Sequence, residues 1–254
     1  MDMKNVLYSC NDGIAVVTLN RPEALNALND DLKIEFNDTI GLALSDENVR
    51  AIILTGKGRA FCAGGDVKGQ ADRENDAVSR RTILKDLNGT IRNIYKSPIP
   101  VISAVNGYAV GAGLGIALAG DLVVASSNAK FSAPFIKLGL VADAGVSFLA
   151  SRRIGSEKTK RLLLTGETID AQVAERWGMV DWVVEPEELL AFSLKLAKQL
   201  VDSPETAIDI TKSMLNNIHG LSIDAALDQE LSSQVVCILS DDHKERVTAF
   251  VGSK

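Results

Sequence analysis

Two apolar runs of strand length each end in a glycine-rich turn, and this repeated pairing limits the fold more than any other feature of the chain. Val49 to Thr55 leads into Ala60-Phe61-Cys62-Ala63-Gly64-Gly65-Asp66, and Val101 to Asn106 leads into Gly107-Tyr108-Ala109-Val110-Gly111-Ala112-Gly113-Leu114-Gly115. Glycine or alanine just past a strand end lets a ligand approach the main chain, and N–H groups left free at a helix start bind anions. Two such turns facing one another would form an oxyanion hole, a pair of donors for a developing negative oxygen. Taken singly, either turn is also compatible with a tight loop that needs positive φ. A dinucleotide fingerprint is disfavoured: Gly111 and Gly113 supply its first two glycines, but the third position falls on Ile116.

Around these turns the hydrophobic pattern alternates between strand and helix. Ile14 to Asn20 is β-rich and stops at Arg21-Pro22; Leu25, Leu28, Leu32, Phe36 and Ile40 then recur at helical spacing. Lys85 to Tyr95 and Leu114 to Ala119 are expected to be helical. Leu122 to Ser126 and Ala129 to Ser132 are expected as short strands, with a helix from Gly145 to Arg153. Strands alternating with helices imply a layered α/β core. After about residue 198 the strand signals stop. Three helical segments follow, the first opened by Ser203 as cap with Pro204 at the first helical position, the second spanning Ser222 to Leu239, the third Asp241 to Val251. We therefore divide the chain into a core, residues 1–198, and a helical region, residues 199–254. Leu227, Leu231 and Val235, four residues apart, suit either an internal core or a subunit contact.

Composition narrows the chemistry. A net charge of −6 removes the basic field that nucleic-acid binding needs. No apolar run approaches the ~20 residues of a membrane span, and the first residues lack a signal-peptide layout, so no membrane association and a cytoplasmic location are expected. Cys10, Cys62 and Cys237 have no metal-ligand spacing; reduced thiols and no metal site are expected. The two histidines, His219 and His243, lie far along the chain, which leaves a carboxylate as the better candidate base near the glycine turns.

The segments Asn20-Arg21-Pro22-Glu23-Ala24-Leu25-Asn26-Ala27-Leu28, Phe61-Cys62-Ala63-Gly64-Gly65-Asp66 and Ala104 to Gly113 resemble the successive signature segments of the crotonase (enoyl-CoA hydratase/isomerase) family. Leu164-Thr165-Gly166-Glu167 and Trp177-Gly178-Met179-Val180-Asp181 are similar to its later ones. The resemblance implies a spiral of repeated ββα units with a C-terminal all-helical region used in assembly as trimers or pairs of trimers. It implies an acyl-CoA thioester substrate, with coenzyme A as part of the substrate and no separate cofactor. It places the oxyanion donors at the N–H groups of Gly65 and Ala112. It places contacts to coenzyme A at the backbone around Ala24, Ala63 and Asp66 and at the cations Arg59 and Lys68, which could otherwise be ordinary surface charges. Glu23 stands where some members carry a coenzyme-A-contacting lysine, so that contact is not expected here.

Hydratases of the family use two glutamates to place a water, and this chain has Gly115 and Phe135 at those positions. A single acid stands in Gly139-Leu140-Val141-Ala142-Asp143-Ala144-Gly145, where family isomerases carry their catalytic carboxylate. Asp143 is accordingly the candidate base, with helix capping as its alternative role. An enoyl-CoA isomerase is the first expectation. A hydratase with a nonstandard site, an aryl-CoA dehalogenase and a non-catalytic acyl-CoA binder are the alternatives; the dehalogenase needs a histidine, and none occurs before His219.

Overall fold

The computed structural model describes residues 4–67 and 76–252. Its chain winds through successive units of two strands and a helix: β1 (Val6–Asn11), β2 (Ile14–Leu19) and α1 (Asp30–Ser45); β3 (Ala51–Gly56), β4 (Ala60–Cys62) and α2 (Ala77–Lys96); β5 (Val101–Val105), β6 (Tyr108–Val110) and α3 (Ala112–Ala119); β7 (Leu122–Ser126), β8 (Lys130–Ser132) and α4 (Val146–Thr165), which is broken at Gly155. β9 (Thr168–Asp170), α5 (Ala171–Trp177), β10 (Trp182–Val184) and α6 (Leu189–Val201) complete the core. A six-stranded sheet runs β1-β2-β3-β5-β7-β10, and a four-stranded one runs β4-β6-β8-β9. From the second unit to the fourth, the longer strand goes to the large sheet and the three-residue strand after it to the small one. This is the ββα spiral expected from the family resemblance.

The large sheet is parallel except for the β1–β2 hairpin, and its central strands β3, β5 and β7 are buried on both faces, as expected for parallel sheets. Helices α1 to α4 cover one face, and α6 lies on the other against Ile53, Ile102, Ala104 and Val124. The expected helical face of α1 is present, since Leu32, Phe36 and Ile40 are all fully buried. Its start is not at Leu25. Pro22–Ala24 forms a 3-10 turn, Leu25 and Asn26 follow in the left-handed region (φ 54° and 56°), and Asn29 caps the helix by accepting from the Leu32 N–H at 3.0 Å. Asn26 holds the break: its buried amide donates to the carbonyls of Lys57 (3.1 Å) and Ala60 (2.8 Å) and accepts from the Arg21 N–H (2.8 Å).

Beyond the core come α7 (Glu205–Asn217), α8 (Ile223–Leu239) and α9 (Asp241–Gly252). Ser203 is not the cap of α7, since its hydroxyl donates back to the Gln199 carbonyl at 2.8 Å and extends the end of α6 instead. Helix α7 docks on the core through polar contacts. Lys212, 8% exposed, meets Asp121 at 2.7 Å and donates to the Ile99 carbonyl at 3.0 Å, while Asn216 donates to the Tyr95 carbonyl. Helices α8 and α9 contain no buried residue, and Leu227, Leu231 and Val235 are exposed, so an internal core is not their role within one chain. Among the described residues no helix is long and apolar enough to cross a membrane.

Candidate active site

The two glycine turns lie side by side because β4 and β6 are parallel neighbours in the small sheet. Their main chains touch. A Cβ on Gly64 would stand 2.7 Å from the Val110 carbonyl oxygen and 3.5 Å from the Ala112 nitrogen, and one on Gly113 would stand 2.2 Å from the Cys62 carbonyl. Gly64 (φ 89°) and Gly111 (φ 55°) also occupy backbone regions that L side chains disfavour. Glycine is therefore required here for two separate reasons, conformation and close approach.

Each turn leaves at least one N–H available. Gly65 pairs with Leu28 as a parallel bridge, in which the Gly64 carbonyl accepts from Leu28 and the Asp66 N–H donates to the Leu28 carbonyl. Strand geometry then aims the N–H of Gly65 away from Leu28. Ala112 is the first residue of α3, where the N–H has no intrahelical acceptor. Among the described residues neither group donates in a turn or loop hydrogen bond. Both predicted oxyanion donors are thus backbone N–H groups at adjacent turns.

Two asparagine-based clamps, buried Asn26 and half-buried Asn106, hold this wall, and sequence reasoning did not single them out. Asn26 has been described. Asn106 donates to the Gly58 carbonyl at 2.8 Å and the Ala60 carbonyl at 3.2 Å, and accepts from the Gly56 N–H at 3.2 Å. Arg21 adds a tie between the first signature segment and the turn, donating to the Ala27 carbonyl (2.9 Å) and pairing with Asp66 (2.8 Å). The signal for all three was present: each lies inside a signature segment, but on residue type alone an asparagine beside glycine suggests a turn. Cys62, fully buried under the wall, has its thiol pushed up to about 12 by burial and is not a nucleophile at neutral pH.

Among the residues predicted to meet coenzyme A, Ala24, Ala63 and Asp66 cluster on this same segment. Their N–H groups are already engaged with the carbonyls of Arg21, Leu25 and Leu28, at 3.1, 3.0 and 3.3 Å. Their carbonyls can still accept. Arg59 is exposed on the loop that enters β4, and Lys68 lies outside the described residues.

Asp143 lies on the turn between the 3-10 segment Pro134–Leu138 and α4. It is not a helix cap: Gly145 occupies that position, with no side-chain cap hydrogen bond. The Oδ1 atom of Asp143 is buried without a hydrogen-bond partner. Burial raises its pKa above the ordinary carboxylate value, opposed by a hydrogen bond from its own N–H. The turn rests on α3, for a Cβ on Gly115 would meet the Ala144 carbonyl at 2.2 Å. Phe135 fills the neighbouring wall, its ring 3.7 Å from where a Gly111 Cβ would be. Around the turn Leu138, Leu140 and Val141 are 58%, 55% and 87% exposed. A cavity of about 620 Å³ between α7 and the core involves none of these residues.

A spiral of this topology, with free main-chain N–H groups at two adjoining glycine turns and a desolvated carboxyl on a turn packed against α3, is that of an acyl-CoA enzyme of the crotonase type. The chain belongs to the enoyl-CoA hydratase/isomerase family, whose sequence profile matches residues 9–254. It is 35% identical to the 1,2-epoxyphenylacetyl-CoA isomerase of Escherichia coli K12, covering 99% of this chain and 97% of that one. It is 37% identical to the short-chain-enoyl-CoA hydratase of Clostridium acetobutylicum, covering 99% and 96%. The enoyl-CoA hydratase structure from Mycobacterium smegmatis superposes with a TM-score of 0.92 at 29% identity, covering 98% of this chain and 97% of that one.

Proposed function

We propose that the protein is an enoyl-CoA isomerase that shifts a double bond along an acyl thioester, with Asp143 as its base. The observation that carries this reading is the buried, unpartnered Oδ1 of a single carboxyl on the turn that packs against α3, the helix whose first N–H is one of the two donors. With the thioester oxygen held by the N–H groups of Gly65 and Ala112, a proton at C2 becomes acidic because the enolate is stabilised, at ~2.7 to 4 kcal/mol per donor. Asp143 takes that proton and returns it at C4, moving the double bond from C3=C4 to C2=C3. One carboxylate suffices, and atoms balance without water. A carboxyl with its pKa raised is also a stronger base once ionised.

The relative named as a 1,2-epoxyphenylacetyl-CoA isomerase supports an isomerase, and the one named as a short-chain-enoyl-CoA hydratase favours addition of water as the second reading. The test is a spectroscopic screen of 3-enoyl-, 2-enoyl- and dienoyl-CoA thioesters. Isomerisation of 3-enoyl-CoA is expected; rapid hydration of 2-enoyl-CoA with no double-bond shift would overturn it. The aryl-CoA dehalogenase lacks support, because the histidine it needs is absent from the chain before His219.

For the remaining contacts, Arg59 and Lys68 are proposed to meet coenzyme A phosphates, and the carbonyls of Ala24, Ala63 and Asp66 to accept from its donors. Residues 199–254 are proposed as the assembly region of a homotrimer or hexamer. Support comes from α8, whose Leu227, Leu231 and Val235 are exposed on a helix with no buried residue. Light scattering should give three or six chains, and Leu231→Glu should lower that number.

A further inference from the structure

Gly115 sits in the interior of α3, where glycine costs about 1 kcal/mol relative to alanine, and its φ is not one that demands glycine. Its reason is steric. A Cβ there would lie 2.2 Å from the Ala144 carbonyl oxygen, 3.1 Å from the Ala144 carbonyl carbon and 2.9 Å from the Ala144 Cβ. None of these atoms is the end of a flexible side chain, so helix and turn are in direct main-chain contact. Ala144 is also 1% exposed and left-handed, at φ 48°, and Gly145 follows at 74°. For alanine that conformation costs on the order of 1–2 kcal/mol and persists only where its surroundings fix it. The residue just before this pinned pair is Asp143.

We infer that Gly115 is a positioning residue for Asp143: by having no side chain it lets the Ala144 carbonyl rest on α3 and so fixes the carboxyl relative to the oxyanion donors. Ala112 and Gly115 are three residues apart, on one face of the same short helix. Helix α3 therefore carries an oxyanion donor and, one turn later, the seat of the base. Their separation is set by a rigid helical turn rather than by a loop. The same contact makes this a one-carboxylate site, because any side chain at position 115 must displace the Asp143 turn. Helix α3 has no ionisable side chain, and Lys137, on the preceding 3-10 segment, lies with its stem against Gly166, so neither element supplies a charged group that could substitute for this packing. The inference rests on Asp143 being the base of the proposed reaction.

Two variants test it from opposite sides of the contact. Gly115→Ala should lower kcat by about 10²-fold with KM for the thioester changed less than about threefold, as expected for a misplaced reacting group. Ala144→Gly keeps a backbone conformation that glycine favours, so it should fold and melt near wild type, yet loosen the turn and lower kcat by about fivefold or more. In either variant the Asp143 carboxyl, followed by carbon-13 NMR, should titrate closer to the ordinary carboxylate value of about 3.9 than in wild type. Neither change should add to the loss caused by Asp143→Asn, because all act through one group. Unchanged kcat and an unchanged Asp143 titration in Ala144→Gly would overturn the inference. So would a Gly115→Ala loss that multiplies fully with that of Asp143→Asn. If wild type shifts no double bond, the proposed reaction fails, and the NMR titration still decides whether Gly115 positions Asp143.

Discussion

The two walls of the proposed active site are built in opposite ways. One is main chain: the N–H groups of Gly65 and Ala112 are set by parallel pairing of β4 with β6 and braced by Asn26, Asn106 and Arg21. The other is a side chain: Asp143 stands on a turn flanked by exposed Leu140 and Val141, and the next residue, Ala144, packs its backbone against Gly115. The proposed donors are thus properties of the fold, while the proposed base is a property of one residue. Substitutions that spare the backbone and its Asn26, Asn106 and Arg21 braces should leave the first wall intact. A single atom exchange should disable the second.

The largest effect is expected from removing a donor. Ala112→Pro deletes an N–H at the first position of a helix, where proline is tolerated, and Gly65→Pro deletes the other; each should lower kcat by about 10²–10³-fold. Circular dichroism and coenzyme A binding report whether the fold survives. A folded variant with wild-type turnover would show that the main-chain wall is not the oxyanion hole.

Asp143→Asn should lower double-bond isomerisation by about 10²-fold while acyl-CoA binding remains. Because the folded-state pKa of Asp143 is raised, its contribution to stability is full below the ordinary carboxylate pKa and is lost as pH rises through the raised value. The Asn variant should accordingly melt above wild type at neutral pH, and the difference should vanish in acid. For the same reason the acid limb of kcat/KM should fall at a higher pH than an ordinary aspartate gives. A variant that melts lower and keeps its activity would return Asp143 to a structural role.

Asn26→Ala sharpens the contrast from the first wall, since it touches no reacting atom. The change leaves the Lys57 carbonyl and the Arg21 N–H without their partner, at about 1–3 kcal/mol each, and puts alanine at φ 56°. A fall in thermal stability should accompany a fall in kcat. Stability lost with kcat of the folded fraction intact would mean that the clamp does not set the donors.

The smallest effect belongs to the rim. Arg59→Ala should weaken coenzyme A binding several-fold, as expected for an exposed charge worth about 0.2–1 kcal/mol, and leave a short pantetheine thioester unaffected. Equal effects on both ligands would remove Arg59 from the coenzyme A site.

Much of this arrangement follows from the sequence alone. The long strands β2, β3, β5 and β7, the buried face of α1, both glycine turns and Asp143 are legible because each is encoded locally, by periodicity, by residue type or by a run of apolar residues. The family resemblance supplied the spiral. Of the small sheet, local pattern supplied only β8, expected from Ala129 to Ser132; β4, β6 and β9 have three residues each, too few for a period of two to register, and they exist because the spiral stacks them. The start of α1 was likewise decided by Asn26, whose partners at Lys57 and Ala60 lie more than 30 residues away. Tertiary contact also decided that Gly115 seats the Asp143 turn, that the Asp143 carboxyl caps nothing, and that Leu227 and Leu231 face outward from the chain. Sequence records what each residue prefers among its neighbours along the chain, whereas close approach between distant backbones, and the desolvation that follows from it, exist only once the chain has folded.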